Sequence, residues 1–174
     1  MEKAIKASDY GTVTVRLVVR DAKAAMEFYK TAFGAKHLYS LTMPGGGIAH
    51  AEFKIGDAVV MIADENPQWH NKSPETLGGS PITLKVLVSD PDATVEKAAK
   101  AGAKVLFPVE DQFYGFRAGR IQDPFGHMWI VSKVNEELTP KEMQKRMDAM
   151  MAGMQASTEK KTAAKAKPAK KAAK

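Results

Sequence analysis

Apolar and polar residues alternate over positions 14–19: Val15, Leu17 and Val19 share one side, and Thr14, Arg16 and Val18 the other. That period-two pattern predicts a half-buried strand. It ends at Asp21, whose short carboxylate suits a helix N-cap, and the helix it opens runs to Gly34, a residue suited to a left-handed C-terminal cap. Three further strand-like runs follow at 37–42, 49–55 and 58–63, the last two joined by a tight Gly56-Asp57 turn. The order then recurs. Leu84, Val86 and Val88 alternate with Thr83, Lys85 and Leu87, Asp90 opens a second helix, and Gly102 closes it. Strand-like runs at 104–109, 117–122 and 128–133 follow, the last two linked by Asp123-Pro124-Phe125-Gly126. The aspartates lie 69 positions apart and the glycines 68, so the second helix is one residue shorter.

Two tandem βαβββ modules predict an α+β fold with the helices on one sheet face. The predicted organisation is an N-terminal extension at 1–11 and a domain at 12–136, made of modules 12–64 and 82–136 joined by a linker at 65–81. An amphipathic helix at 137–154 follows, then a disordered basic tail at 155–174. Ala51, Phe53 and Ile55 face the helices, which leaves Thr14, Arg16, His50, Glu52, Thr83 and Lys85 on the open side, together with Arg120 or its neighbours. That side is either a solvated surface or, if the modules curve together, a cleft lined by a few polar groups.

Charge narrows the picture only after it is divided. The net charge is +6, but from Gln155 onward seven lysines face one acid, leaving 19 basic and 19 acidic residues in the rest. The folded part therefore carries no overall attraction for polyanions, and a role in nucleic-acid contact falls to the tail. There are no cysteines, which excludes disulfides and thiolate chemistry and fits a reducing compartment. The first six residues lack an apolar core and no apolar run is long enough to cross a bilayer, so a cytoplasmic protein is expected.

Several stretches carry a family signature: 17–22 with 28–35, His50-Ala51-Glu52-Phe53-Lys54-Ile55-Gly56-Asp57, 73–81, and 114–129 with its Asp-Pro-Phe-Gly-His-x-Trp segment. In these the chain resembles the vicinal oxygen chelate superfamily (glyoxalase, bleomycin-resistance protein, dioxygenase), and within it the PhnB-like branch. The resemblance implies paired βαβββ modules forming a curved sheet around a cavity, and a homodimer. Members that use a metal hold it with His, Gln or Glu from the first and last strands of both modules. Carried over by the repeat register, those places fall on Thr14, Met61, Thr83 and Ile130, and a slip of one residue brings nothing better. Such a set does not suit Zn²⁺, Ni²⁺ or Fe²⁺. No metal and no other cofactor is expected.

His50 and Glu52, two apart on one strand, are the best catalytic candidates, as an acid-base pair or as two ligands of an unorthodox metal site. Arg16, Lys85 and Arg120 are candidates for holding a carboxylate or phosphate, the alternative being pairing with Glu52 and Asp111. Trp69, Phe113, Tyr114 and Phe116 form either a lid over a ligand or a dimer contact, while His127 supports its hairpin and His37 and His70 belong to the surface. Thr139-Pro140-Lys141-Glu142 opens the C-terminal helix, along which Met143, Met147, Met150, Met151 and Met154 make a stripe expected to pack on the body or a partner subunit, the alternative being a promiscuous Met-rich binding face. The function these features favour is metal-free binding of a small molecule, an anion among the candidates. The alternatives are a metal-dependent lyase, isomerase or dioxygenase, and a protein that touches nucleic acid through its tail.

Overall fold

The structure, a computed structural model, describes residues 5–165, the side chains of 156–165 excepted. The first module runs β1 (Val15–Val19), α1 (Ala22–Phe33), β2 (Lys36–Thr42), β3 (Ile48–Ile55) and β4 (Ala58–Asp64). The second follows the same order as β5 (Thr83–Leu87), α3 (Pro91–Lys100), β6 (Lys104–Asp111), β7 (Phe116–Gln122) and β8 (Met128–Val134). Each makes a four-stranded mixed sheet, ordered β1-β4-β3-β2 and β5-β8-β7-β6, with the first strand parallel to the last. The fold is α+β, and its sheets are curved rather than closed into a barrel.

The helix starts follow from their caps. Asp21 accepts a hydrogen bond from the Ala24 N–H at 2.9 Å, and Asp90 accepts one from Ala93 at 3.0 Å. Each bond satisfies one of the orphan donors of a first turn. Gly34 ends α1 in the left-handed region (φ 67°), where a Cβ would be strained. Asp64, at the end of β4, accepts from the backbone N–H groups of Ala22 and Ile48 at 2.7 and 2.6 Å, tying the helix start to the sheet.

The helix-bearing sides of the two sheets share one core. Leu17, Val19, Tyr29, Phe53 and Ile62 from the first module are buried in it with Val86, Val95, Ile121, Trp129 and Val131 from the second. At its centre the buried Asp123 carboxylate accepts from the Tyr29 hydroxyl (2.7 Å), the Trp129 Nε1–H (2.9 Å) and the backbone N–H groups of Phe125 and His127. Burial, then the neighbouring carboxylate, raises the Tyr29 phenol well above its ordinary pKa, so it stays a donor. His127 supports its hairpin as expected and also reaches β1, where Nε2 lies 3.2 Å from the Val18 carbonyl.

The expected loop at 65–81 holds a 3₁₀ turn at Pro67–Trp69 and one turn of helix, α2 (Pro74–Leu77). Ser73 caps that turn, and Glu65 accepts from the Ser73 N–H and from both the Ser73 and Thr76 hydroxyls. These donors, the Thr76 hydroxyl foremost, pull the Glu65 carboxyl down to about 2.

The chain divides into two compact units, Met1–Glu110 with Ala118–Lys133, and Asp111–Arg117 with Val134–Lys174. In the second, Gly115 turns at φ 85° and its carbonyl accepts from Asn135 and Glu136, both at 2.9 Å. Helix α4 then runs over Pro140–Lys165. It passes the expected end at 154 by eleven residues, because alanine and lysine are strong helix formers and the 155–165 stretch holds no glycine or proline. The rest of the predicted tail lies outside the described residues. Of the expected stripe, Met147, Met151 and Met154 are exposed, while Met143 and Met150 are half-buried.

Candidate functional site

The open faces are the sheet sides away from the shared core. On the first module, the register places Arg16 beside Met61, Met61 beside Glu52, and Glu52 beside Tyr39. One row thus crosses all four strands on the open side. Glu52 stands in the middle, yet only 3% of it is exposed.

A buried carboxylate must find donors, and Glu52 has three. The Tyr39 hydroxyl donates to Oε1 at 2.9 Å. The Tyr10 hydroxyl lies 3.0 Å from both carboxylate oxygens, and His50 Nε2 lies 3.1 Å from Oε1. His50 Nε2 is also 3.1 Å from the Tyr39 oxygen. His50 Nε2 thus faces both the Glu52 carboxylate and the Tyr39 hydroxyl, and the neutral tautomer with its proton on Nε2 would leave Nδ1 as an acceptor. Burial first, and then the bond to Glu52, raises the Tyr39 phenol far above its ordinary pKa; Tyr10 is raised for the same reasons. Both phenols therefore remain proton donors at neutral pH.

The sequence placed His50 and Glu52 together but gave no sign of Tyr10 or Tyr39. Tyr39 reaches Glu52 because the β2–β3 register shifts between His37 and Tyr39. Tyr10 arrives from the N-terminal extension, beyond any strand pattern. Only a polar residue opposite Glu52 was available as a signal.

The second module carries an equivalent row of different character. The 68- to 69-residue offset turns Arg16, Met61, Glu52 and Tyr39 into Lys85, Ile130, Arg120 and Phe107. Lys85 pairs with Ile130 in the parallel register. The Arg120 guanidinium carbon lies 5.4 Å from the centre of the Phe107 ring, which is 59% exposed. A guanidinium near a ring face is attracted by the ring quadrupole, and its N–H groups suit a planar anion.

Arg16 and Arg120 do not pair with Glu52 and Asp111, the alternative considered from sequence. Arg16 donates weakly to the Ala49 carbonyl at 3.4 Å, and Asp111 pairs with Arg117 at 3.3 Å. Nor does one chain gather the expected anion-binding residues. Arg16 belongs to the first sheet, with Thr14 just before its first strand, while Thr83, Lys85 and Arg120 belong to the second. Trp69 is exposed in the linker, and Phe113, Tyr114 and Phe116 form a ring cluster with centroids 5.1 and 5.6 Å apart. A cavity of about 570 Å³ lies along α1 between Lys23, Lys30, Lys36 and Phe53, and none of the expected ligand-binding residues lines it.

At the four metal positions of the resembling family stand Thr14, Met61, Thr83 and Ile130: two hydroxyls, a thioether and an alkyl chain. They do not fit a divalent ion of that kind. Among the described residues no three His, Asp or Glu side chains converge elsewhere to hold one.

Residues 11–131 match the model of the Glyoxalase/Bleomycin resistance protein/Dioxygenase superfamily, and the chain belongs to that family. An uncharacterized protein of Mycobacterium bovis is 39% identical over 136 residues, covering 76% of this chain and 90% of its own length. A gene product of Arabidopsis thaliana of known structure shares 28% identity, with a TM-score of 0.57 over 71% of this chain and 98% of its own. The PhnB protein of Bacillus cereus, at 20% identity, has the same fold (TM-score 0.56, covering 71% and 99%). No helix among the described residues is long and apolar enough to cross a membrane.

Proposed function

We propose that this chain is a PhnB-like member of its superfamily that binds a small organic anion without the family's metal, in a site completed by a second copy. The observation that carries the reading is the open face of the second module, where Arg120 lies over the exposed Phe107 ring. A guanidinium edge beside an apolar ring suits a carboxylate or phosphate attached to a flat or apolar body. A single sheet face is too open for such a ligand, because a site normally covers most of the ligand's surface. Ile82 and Leu87 at the ends of β5, and Val13 and Leu41 around the first module's open face, are exposed large apolar side chains of the kind a partner surface covers. In the homodimer we propose, the basic face of one copy meets the Glu52 face of the other. The ligand's anionic end then sits on Arg120, and its hydrogen-bond donors meet His50 Nδ1.

The test is titration of the full chain with a panel of aromatic and aliphatic carboxylates and phosphates, followed by heteronuclear NMR. Shifts confined to Arg120, Phe107, His50 and their neighbours support the reading. Saturable binding elsewhere, for example in the lysine-lined groove of α1, rejects it.

One observation favours an enzyme over a binder: the His50–Glu52–Tyr39–Tyr10 network. In the tautomer with its proton on Nε2, the His50 Nδ1 can act as a general base, while the two phenols, held protonated, act as hydrogen-bond donors that fix Glu52. With both oxygens of Glu52 already taken by tyrosines and His50, proton transfer is the chemistry this group supports better than metal binding. Turnover of any bound ligand that disappears in His50→Ala, with binding retained, would establish it.

A further inference from the structure

The segment that delivers Tyr10 to the first sheet has little else to hold it there. It precedes β1 and contains one 3₁₀ turn, Ala7–Asp9, which buries no residue. The bonds that close the turn run within it: the Asp9 N–H to the Lys6 carbonyl at 2.9 Å, the Tyr10 N–H to the Ala7 carbonyl at 3.2 Å, and the Lys6 N–H to the Asp9 carboxylate at 2.9 Å. Ile5, Gly11, Thr12 and Val13 are exposed on either side of Tyr10, Val13 to 86%. A segment with so little buried surface lies at the low end of local stability. Its phenol nevertheless sits 3.0 Å from both oxygens of the buried Glu52.

Those two oxygens are not equally supplied. Oε1 is also met by the Tyr39 hydroxyl at 2.9 Å and by His50 Nε2 at 3.1 Å. Oε2 has, among the described residues, the Tyr10 hydroxyl alone. Lifting Tyr10 away therefore uncovers an acceptor at the centre of the open row, and an acceptor left without a donor there is costly. Whatever replaces the phenol has to bring a donor of its own.

We propose that residues 5–13 form a strap latched by Tyr10, an autoinhibitory contact in which the phenol occupies Glu52 Oε2 until a ligand hydroxyl or amine takes its place. Closure lowers the apparent affinity of such a ligand by the fraction of molecules in which the strap is open. A hydrogen bond to a carboxylate changes that fraction by about tenfold or more. The latch rests on the reading of the Glu52 face as a wall of the ligand site, but Arg120 and a second copy take no part in it.

The test is heteronuclear NMR of the full-length wild type, Tyr10→Phe and Tyr10→Ala, each titrated with phenol, which carries a donor and no anionic group. Before phenol is added, Tyr10→Phe keeps the ring and loses the hydroxyl. Its amides at 5–13 should move to disordered-chain shifts and relaxation, while those of α1 and β4 stay in place. In the titration, Tyr10→Ala should show saturable shifts at Glu52, His50 and Tyr39 with about tenfold or higher affinity than the wild type. Toluene, which lacks the donor, should bind there more weakly than phenol. If Tyr10→Ala does not fold, Tyr10→Phe takes its place in the comparison. A strap that stays ordered in Tyr10→Phe overturns the latch. Equal phenol affinity in wild type and variant, no shifts at Glu52, or toluene binding as well as phenol overturns the autoinhibition. Because phenol has no charge for Arg120 to hold, these outcomes stand whether or not the anion titration locates its ligand at Arg120.

Discussion

The two modules have the same topology and opposite open faces. At equivalent places on the sheet the first carries a buried carboxylate, Glu52, and the second a half-buried guanidinium, Arg120. Their neighbours differ by one oxygen atom: Tyr39 donates its hydroxyl to Glu52, whereas Phe107 offers Arg120 only a ring face. The helix-facing positions kept what the shared core demands. The outward positions, under no packing demand from the chain's own core, form an acceptor half and a cationic half. A duplicated module can thus supply two complementary surfaces for one ligand.

The largest effect should come from breaking what the modules share. Asp123→Ala strands the Tyr29 hydroxyl, the Trp129 N–H and two backbone N–H groups in the core. We expect a loss of about 3 kcal/mol or more, since each stranded buried donor costs about 1–3 kcal/mol. In a protein of this size that is a fall in Tm of roughly 6–12 °C, measured by calorimetry.

Next come the equivalent positions themselves. Glu52→Gln removes a charged acceptor from three donors and should cost about 1–2 kcal/mol in urea unfolding. Arg120→Gln, on the open partner face, should change stability by no more than about 0.5 kcal/mol. It should nonetheless weaken binding of a small carboxylate by about tenfold or more, because a charge-assisted contact is worth roughly 1.5–3 kcal/mol. Equal stability losses at the two positions would remove the asymmetry.

The pH dependence separates the first module's open face from the linker that follows it. Tyr39 is raised in the folded protein, so its contribution is complete below the unfolded phenol value, about 10, and is lost as pH rises above it. Alkaline unfolding should be less steep in Tyr39→Phe than in the wild type. Glu65 has the opposite sign. Held at about 2, it contributes above the ordinary carboxylate range and loses that contribution as pH falls toward its folded value. Glu65→Gln should therefore flatten the acid limb of a stability-pH curve and leave the alkaline limb alone.

The smallest effect belongs to the tail. Truncation after Met154 should leave Tm within about 1 °C, since exposed positions outside the core contribute little. If the tail contacts nucleic acid, the same truncation removes DNA binding at low salt; unchanged binding rejects the tail as its cause.

The modules were legible in the sequence because alternation and capping are local. Asp21, Gly34, Asp90 and the strand runs mark their own elements, and each strand lies within two residues of its expected bounds. What alternation cannot say is which face a second module covers. It assigned Arg16 and Lys85 to open sides but not to separate sheets. Tyr39 depends on a register shift and Tyr10 on a fold-back of the N-terminal segment, both tertiary events with no periodic trace. The length of α4 was missed for another reason. Composition alone weighed against folding at 155–165, while alanine and lysine favour helix wherever one has already started.

The central claim, a metal-free site shared between two copies, meets its most direct test in native mass spectrometry of protein purified without chelator. The account predicts a dimer carrying a small organic adduct that is lost on denaturation, with no Zn²⁺, Ni²⁺ or Fe²⁺ in stoichiometric amount. A monomer, or a dimer holding one such ion per site, would contradict it.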